Sequence, residues 1–367
     1  MKTTAAVLEQ LGGDFTLTEL NIDSPAPGEV LIDVVGVGLC HTDLAVKEGH
    51  LPFPFPGVVG HEGSGIVREV GEGVTKVAVG DRVCASFNRC GVCTQCRAGA
   101  PSYCLEFMVR NFSGARSDGS SALQNGAGQM AGNFFGQSSF ATQAIAHERS
   151  IVKVPDTVPL EILGPLGCGI QTGAGAVMNA LACRPGSSLL VAGGGSVGLS
   201  GVLGAVVREV GVIIVVEPMA QRRELALSLG ATHVIDPAAA PVSEQVRAIL
   251  PEGVDYALDT TANLHVIQEI IASLGQRGHL GMVGVPSDPT AELTVGLIEM
   301  QARGLSFTGI VEGNSDPDVF IPELIELYLA GNFPFDRLIT TMPFSRINDA
   351  VAAQARGDAV KVVLVHE

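Results

Sequence analysis

Half of the cysteines in this chain fall in one short run, "CGVCTQCRAGAPSYC", which spaces Cys90, Cys93, Cys96 and Cys104 as C-x2-C-x2-C-x7-C. Four thiolates this close can surround one tetrahedral metal and leave no open position, the arrangement of a structural zinc. The iron–sulfur alternative uses a C-x2-C-x2-C-x3-C-P run. Here the last gap is seven and Leu105 follows, so the spacing selects zinc. A closed site braces a loop and does no chemistry.

A second set is scattered: Cys40 in "GLCHTDL", the His61-Glu62 pair in "FPGVVGHEGSG", and Cys168 in "PLGCGIQ". Each alone reads as structural, a buried cysteine being a small hydrophobe. Together they supply two thiolates and one imidazole, the ligand set of an open catalytic zinc whose fourth position takes water or a substrate oxygen. Cys40 and His41 are neighbours, and neighbours on an extended chain point to opposite sides. Thr42 then shares a side with Cys40 if that stretch is extended.

The third chemical feature is G-x-G-x-x-G in "VAGGGSVGLSG", formed by Gly193, Gly195 and Gly198. It follows an apolar run and opens a helical pattern, the context in which such glycines let a backbone approach a pyrophosphate at a helix N-terminus. Glu217 ends the next apolar run, 19 residues after Gly198. A carboxylate there accepts hydrogen bonds from the ribose hydroxyls and repels a 2′-phosphate, which favours NAD. Arg222 and Arg223 nearby keep NADP open.

Two kinds of element must position these groups. Residues 1 to about 160 hold short β-like runs between turns, such as "EVLIDVVGVGL" and "DRVCASF", with no long amphipathic helix; "SGARSDGSSALQNGAGQ" (113–129) reads as a loop. From 163 to 301 strand-like and helix-like segments alternate: "SSLLVAGGG", "SVGLSGVLGAVVREVG", "VIIVVE", "MAQRRELALSLG", "VDYALDTT", "LHVIQEIIASLG". That alternation implies a parallel sheet covered on both faces. The tail contains a helix, "DVFIPELIELYLAG", and a closing strand, "KVVLVHE".

The chain has 367 residues, 46% of them hydrophobic, and a formal net charge of −16, which argues against nucleic-acid and anionic-membrane partners. Two uncharged runs, Ile162–Cys183 and Pro185–Val207, are long enough to span a bilayer, but glycines break both and the second holds the nucleotide loop. The N-terminal stretch lacks the apolar core of a signal peptide, and the expectation is a cytoplasmic protein.

These pieces, with "CGIQTGAGAV" and "GVDYALDTT" and in this order, resemble the zinc-containing medium-chain alcohol dehydrogenases, most of all their aryl-alcohol subgroup. The resemblance implies an α/β fold: a GroES-like β-barrel catalytic domain (1–162 and 302–367) and a Rossmann doubly wound parallel sheet (163–301). It implies two zinc ions per subunit, with Cys40, His61 and Cys168 at the catalytic one and the four-cysteine lobe at the structural one. Glu62 would lie close behind the catalytic metal, Asp43 would orient His61, and Thr42 would accept the alcohol proton. His41, Thr172, Gly193, Gly195, Val197, Gly198, Glu217, Arg222, Val283 and Lys361 would contact NAD. Of these, His41 and Lys361 would face the pyrophosphate, Arg222 the adenosine ribose and Thr172 the nicotinamide ring.

Ala45 stands where many relatives carry a relay histidine. Ser86, Phe87 and Phe53 are candidate pocket residues, and Phe53 and Phe87 read equally well as ordinary core. The implied reaction interconverts a primary alcohol, aromatic or allylic, with its aldehyde. The implied assembly is a homodimer or homotetramer joined by edge strands near 295–311. The alternatives are a thiol-adduct formaldehyde dehydrogenase, a zinc-free quinone reductase relative and, from another class, a zinc-ribbon binding or regulatory protein.

Overall fold

The computed structural model describes residues 1–126 and 128–366. The chain divides into two compact units. The first comprises Met1–Cys168, Asp316–Leu329 and Asp336–Glu367, and the second Gly169–Ser315 and Ala330–Phe335.

The first unit is built on two sheets. One orders its strands 57–58, 2–8, 15–22, 123–125 and 128–129; the other orders 151–153, 82–85, 63–70, 29–38, 361–365 and 339–343, with 143–147 paired on 29–38. Strand Glu29–Gly38 is central because both its faces are apolar. Val30 and Ile32 enter one core with Val67, Val83 and Ile151, while Leu31 and Val37 enter a larger one with Leu8, Leu20, Phe134 and Phe140. Period-two alternation sends successive side chains to opposite faces, so one strand serves two cores. The larger core forms the floor on which the candidate ligands rest.

The second unit is a six-stranded parallel sheet in the order His233–Ile235, Val212–Val216, Ser188–Ala192, Val254–Asp259, Leu274–Met282, Ser306–Gly309. Helices Ser196–Val207, Ala220–Ser228, Val242–Ile249 and Leu264–Ser273 intervene in sequence. The first of these strands in sequence, Ser188–Ala192, is buried along its whole length, which is why it reads as an unbroken apolar run. Leu189, Leu190 and Val191 each contribute about 1.5–3 kcal/mol by that burial. Its neighbours are the second and fourth strands in sequence, so the order reverses beside it. The crevice outside the strand ends at such a switch point is where doubly wound folds take ligands.

Three expectations are corrected. The division falls at 168/169 and 315/316, not at 162/163 and 301/302, because Ser306–Gly309 pairs with His279–Met282 and extends the parallel sheet. Residues 330–335 also join the second unit. The supposed loop 113–129 contains strand Leu123–Asn125, paired on Asn21 and Ile22, and a short hairpin return at Gly128–Gln129; Ala127, within it, lies outside the described residues, as does Glu367 of the closing strand. Finally, His41–Glu48 is helical and not extended. Among the described residues, no helix is long and apolar enough to cross a membrane.

Candidate active site

Helix His41–Glu48 starts at Cys40, whose extended backbone caps it. Asp43, in the first turn, turns its carboxylate back onto the Cys40 amide at 3.0 Å, where negative charge also suits the helix N-terminus. The same carboxylate accepts from the Gly60 amide at 3.0 Å and from His61 Nδ1 at 2.9 Å. One buried aspartate therefore ties the Cys40 segment to the His61 segment. Gly60 holds a left-handed φ of +91° and a Cβ there would meet the Phe140 amide nitrogen at 2.4 Å, so only glycine delivers His61 along this path.

The Asp43 carboxylate oxygen accepts from Nδ1, so in the neutral imidazole the lone pair falls on Nε2. Nε2 is buried without a hydrogen-bond partner. An orphaned buried acceptor costs about 1–3 kcal/mol, so it calls for a ligand. What faces it supplies one: ligand atoms of Cys40, His61, Glu62 and Cys168 all lie within 4.8 Å of one another, and all four residues are buried in the first unit. The donor set of two sulfurs and one imidazole fits zinc.

The electrostatics favour a metal at the sulfurs and set a proton in competition with it at His61. The Cys168 sulfur beside it holds the Cys40 thiol well below the usual range, against burial and with help from Lys361 and His61. Thiolate is the form that binds metal. Burial pulls His61 down, but Asp43 and Cys40 more than offset it and its pKa rises. Burial pushes Glu62 up to about 7 even against the opposing pull of Lys361. Both Glu62 oxygens contact the Lys361 ammonium, at 2.8 and 2.9 Å, and that ammonium also donates to the Leu39 carbonyl at 3.2 Å.

The wall around His61 is aromatic. Phe135 stacks on the imidazole with centroids 4.4 Å apart, and Phe134 meets it edge-on at 5.4 Å; Phe53 and Phe112 pack on Phe134. Asn133, Phe135 and Ser138 all have φ between 50° and 58°, a costly backbone for non-glycine residues and one often kept at functional sites. Gln137 closes the turn by donating to the His61 carbonyl at 2.8 Å and accepting from the Gly63 amide at 3.1 Å.

The second metal-ligand cluster is Cys90, Cys93, Cys96 and Cys104, again within 4.8 Å of one another. Backbone amides point at the sulfurs: Cys90 N to Cys104 at 3.3 Å, Cys93 N to Cys90 at 3.3 Å and Cys96 N to Cys93 at 3.5 Å. The Cys96 amide, chiefly, draws Cys93 down to about 6, whereas burial raises Cys96 and Cys104. Four converging sulfurs with amide donors suit a closed cation site.

In the second unit, Gly195 caps helix Ser196–Val207, and a Cβ there would meet nothing within 4 Å. That open ground at a helix N-terminus suits a pyrophosphate. Gly193, at φ +101°, passes so close to Thr260 that a Cβ would lie 2.4 Å from its hydroxyl. Gly198 and Val197 stand in the first turn of the helix, and Val283 follows the fifth strand of the sheet and donates to the Asp259 carbonyl at 2.9 Å.

Residues 26–156 match the model of the alcohol dehydrogenase GroES-like domain, and 196–329 that of the zinc-binding dehydrogenase. Over 365 residues the chain is 48% identical to geraniol dehydrogenase of Castellaniella defragrans, covering 98% of this chain and 97% of that protein. The chain belongs to the zinc-binding alcohol dehydrogenases. Among solved structures, benzyl alcohol dehydrogenase from Acinetobacter calcoaceticus matches with a TM-score of 0.97 and 43% identity, each chain covered completely. An alcohol dehydrogenase zinc-binding domain protein from Burkholderia ambifaria matches with a TM-score of 0.97 and 44% identity, over 100% of this chain and 99% of that one. The zinc-ribbon binding or regulatory reading falls with this finding: the protein is an alcohol dehydrogenase.

Several residues of this dehydrogenase stand elsewhere than the sequence suggests. Thr42 does share a side with Cys40, its hydroxyl 3.7 Å from the sulfur, but through the first turn of a helix. Lys361 is 1% exposed, and its ammonium is held by Glu62 and the Leu39 carbonyl. Ser86 and Phe87 are fully buried; the Ser86 hydroxyl donates to the Gly167 carbonyl at 2.6 Å, beside Cys168, and Phe87 packs on Phe107. Phe53 is core as well, edge-on to Phe134.

His41 is exposed at the start of its helix. Arg222 leaves its Nε without a hydrogen-bond partner, while Arg223 is spent on the Glu217 and Pro218 carbonyls and on Asp236. Thr172 donates to the buried Glu312 at 3.4 Å, next to Gln171 at 3.2 Å. Sequence reasoning missed Phe134, Phe135, Gln137 and Glu312. The one signal available was "NFFGQSSF", an aromatic pair set in a polar turn.

Proposed function

We propose that this dehydrogenase oxidises a primary alcohol, aromatic or allylic, or reduces the aldehyde, with NAD(H) as coenzyme and two zinc ions per subunit. The observation that carries the reading is His61: its Nδ1 is fixed by Asp43, its Nε2 is buried and partnerless among two cysteine sulfurs, and its ring is stacked on Phe135. Cys40, His61 and Cys168 would hold the catalytic metal, and Cys90, Cys93, Cys96 and Cys104 the structural one. When bound, zinc supplies Lewis acidity, which lowers the pKa of water from about 15.7 to about 7 and lowers that of an alcohol likewise, and NAD supplies the hydride acceptor.

The chain's own residues do the rest. Thr42, with its hydroxyl beside the Cys40 sulfur, takes the substrate proton. Ala45 offers no base to finish the relay, so the proton passes on to water or another group. The aromatic cluster around His61, with Phe135 stacked on the imidazole, makes this side of the site apolar, which suits a flat conjugated substrate. Conjugation also stabilises the aldehyde product. The geraniol and benzyl alcohol dehydrogenases among the relatives support the same substrate class.

In the second unit, Gly193, Gly195, Val197, Gly198, Glu217, Arg222, Val283 and Thr172 serve the coenzyme, and Glu217 favours NAD over NADP. We further infer a cytoplasmic homodimer or homotetramer; the edge position of Ser306–Gly309 in its sheet supports pairing between subunits.

Initial rates with NAD and with NADP on benzyl, allylic, short aliphatic and thiol-adduct alcohols test the reading. The expected result is kcat/KM at least about a hundredfold higher for benzyl alcohol than for ethanol, near 2.7 kcal/mol, and higher with NAD than with NADP. Equal values for ethanol and benzyl alcohol, or strict dependence on a thiol with formaldehyde, would remove the substrate assignment.

A further inference from the structure

We propose that Gly194 is a coenzyme-specificity residue matched to Glu217: the missing side chain at 194 is what allows a glutamate to stand fixed at the ribose position. This rests on the reading that Glu217 meets the adenosine ribose and names the device that makes it selective. The Gly194 amide donates to Glu217 Oε2 at 2.7 Å, and the Met219 amide donates to Oε1 at 2.9 Å. Glu217 is only 4% exposed. A carboxylate has about four lone-pair sites. Two are used in anchoring, which leaves two, the number a ribose diol needs.

A Cβ at position 194 would lie 2.9 Å from Glu217 Cγ, 2.9 Å from Oε2 and 3.3 Å from Glu217 Cβ. These atoms cannot swing aside cheaply, because both carboxylate oxygens are tied to amides. Nor does the backbone demand glycine here: the left-handed turn of the loop is made by Gly193, and Gly194 has no positive φ. The requirement for glycine at 194 therefore comes from the side chain at 217: two of the three close contacts are to its Cβ and Cγ, and the third is to the pinned Oε2.

Pinning also explains selectivity. A free glutamate could rotate away from an incoming 2′-phosphate; this one would have to break two hydrogen bonds first. Arg223 cannot compensate, since its guanidinium is committed to the Glu217 and Pro218 carbonyls and to Asp236.

The test is a mutant cycle in the full-length enzyme, reading KM for NAD and NADP with benzyl alcohol, NADH affinity by fluorescence, zinc content and melting temperature. Gly194→Ala should raise KM for NAD about tenfold or more, with kcat within about threefold and zinc content unchanged, and should narrow the preference over NADP. In a Glu217→Ala background the same change should shift KM for NAD less than about twofold. An unchanged KM in Gly194→Ala overturns the inference. So does a penalty that persists in Glu217→Ala, because residue 194 would then act on the pyrophosphate directly. Failure of the underlying NAD reading shows separately, as wild-type preference for NADP or as an unmoved NAD KM in Glu217→Ala alone, and takes this inference with it.

Discussion

The molecule holds two cysteine-containing clusters of similar size that are built in opposite ways. The four-cysteine lobe draws every ligand from residues 90–104, leaves Cys93 and Cys96 half-buried, and aims its own turn amides at its own sulfurs. The other cluster draws Cys40, His61 and Cys168 from three distant segments, buries all of them, and relies on outside groups: Asp43 for His61, Lys361 for Glu62. A local site can form wherever its loop forms, and a metal bound there would hold that loop in shape. A distributed site forms only after strands and helix are in place, so a metal bound there would be spared from holding the fold and could keep a position open for chemistry.

Removing one sulfur from each cluster should separate these roles most sharply. Cys168→Ala is expected to lose one zinc and all detectable activity while its circular dichroism and melting temperature stay near wild type. Cys104→Ala is expected to lose the other zinc and to melt at markedly lower temperature, because metal binding supplies folding energy to such lobes. Atomic absorption and thermal melts read both. Equal destabilisation by the two changes would erase the contrast, and iron with acid-labile sulfide in the preparation would end the zinc assignment.

A smaller effect is expected from Thr42→Val, which removes a hydroxyl beside Cys40 at nearly constant size. Turnover should fall about 10²- to 10⁴-fold, the range for a general acid–base group, with zinc retained. A loss below threefold would take Thr42 out of proton transfer. Smaller still, Asp43→Asn keeps the shape but discards the charge that orients His61. Zinc at that site should bind about 10- to 100-fold more weakly, seen as faster loss to a chelator, while the four-cysteine lobe keeps its metal. Unchanged retention would mean that Asp43 caps its helix and does nothing for the ligand.

Much of this was legible in the chain. The four-cysteine spacing is a local pattern and the structure gathers those sulfurs as the pattern requires. The alternation after residue 163 announces the parallel sheet, since strands buried on both faces read as apolar runs such as "SSLLVA". The ligand types Cys40, His61 and Cys168 could be nominated by chemistry alone. What could not be read was partnership across long separations. Lys361 and Glu62 are 299 residues apart, and nothing local in "GDAVKVV" tells a buried ion pair from an exposed cation or a coenzyme contact. Thr42 shares a side with Cys40 through a helical turn, and an extended stretch would give the same pairing, so residue spacing alone does not tell the two apart. Phe134 and Phe135 escaped notice because they depend on left-handed backbone that no propensity favours.

The sequence by itself determined the donor atoms, the glycines that a close backbone approach demands, and the order of strands and helices, since each follows from residue type and short-range spacing. Tertiary structure decided which donors meet, where the second unit ends, and what neutralises the buried charges. The physical reason is burial. Placing Asp43, His61, Glu62 and Lys361 out of water is tolerable only if each finds its partner, and the choice of partner is set by which distant segments the two sheets of the first unit bring together.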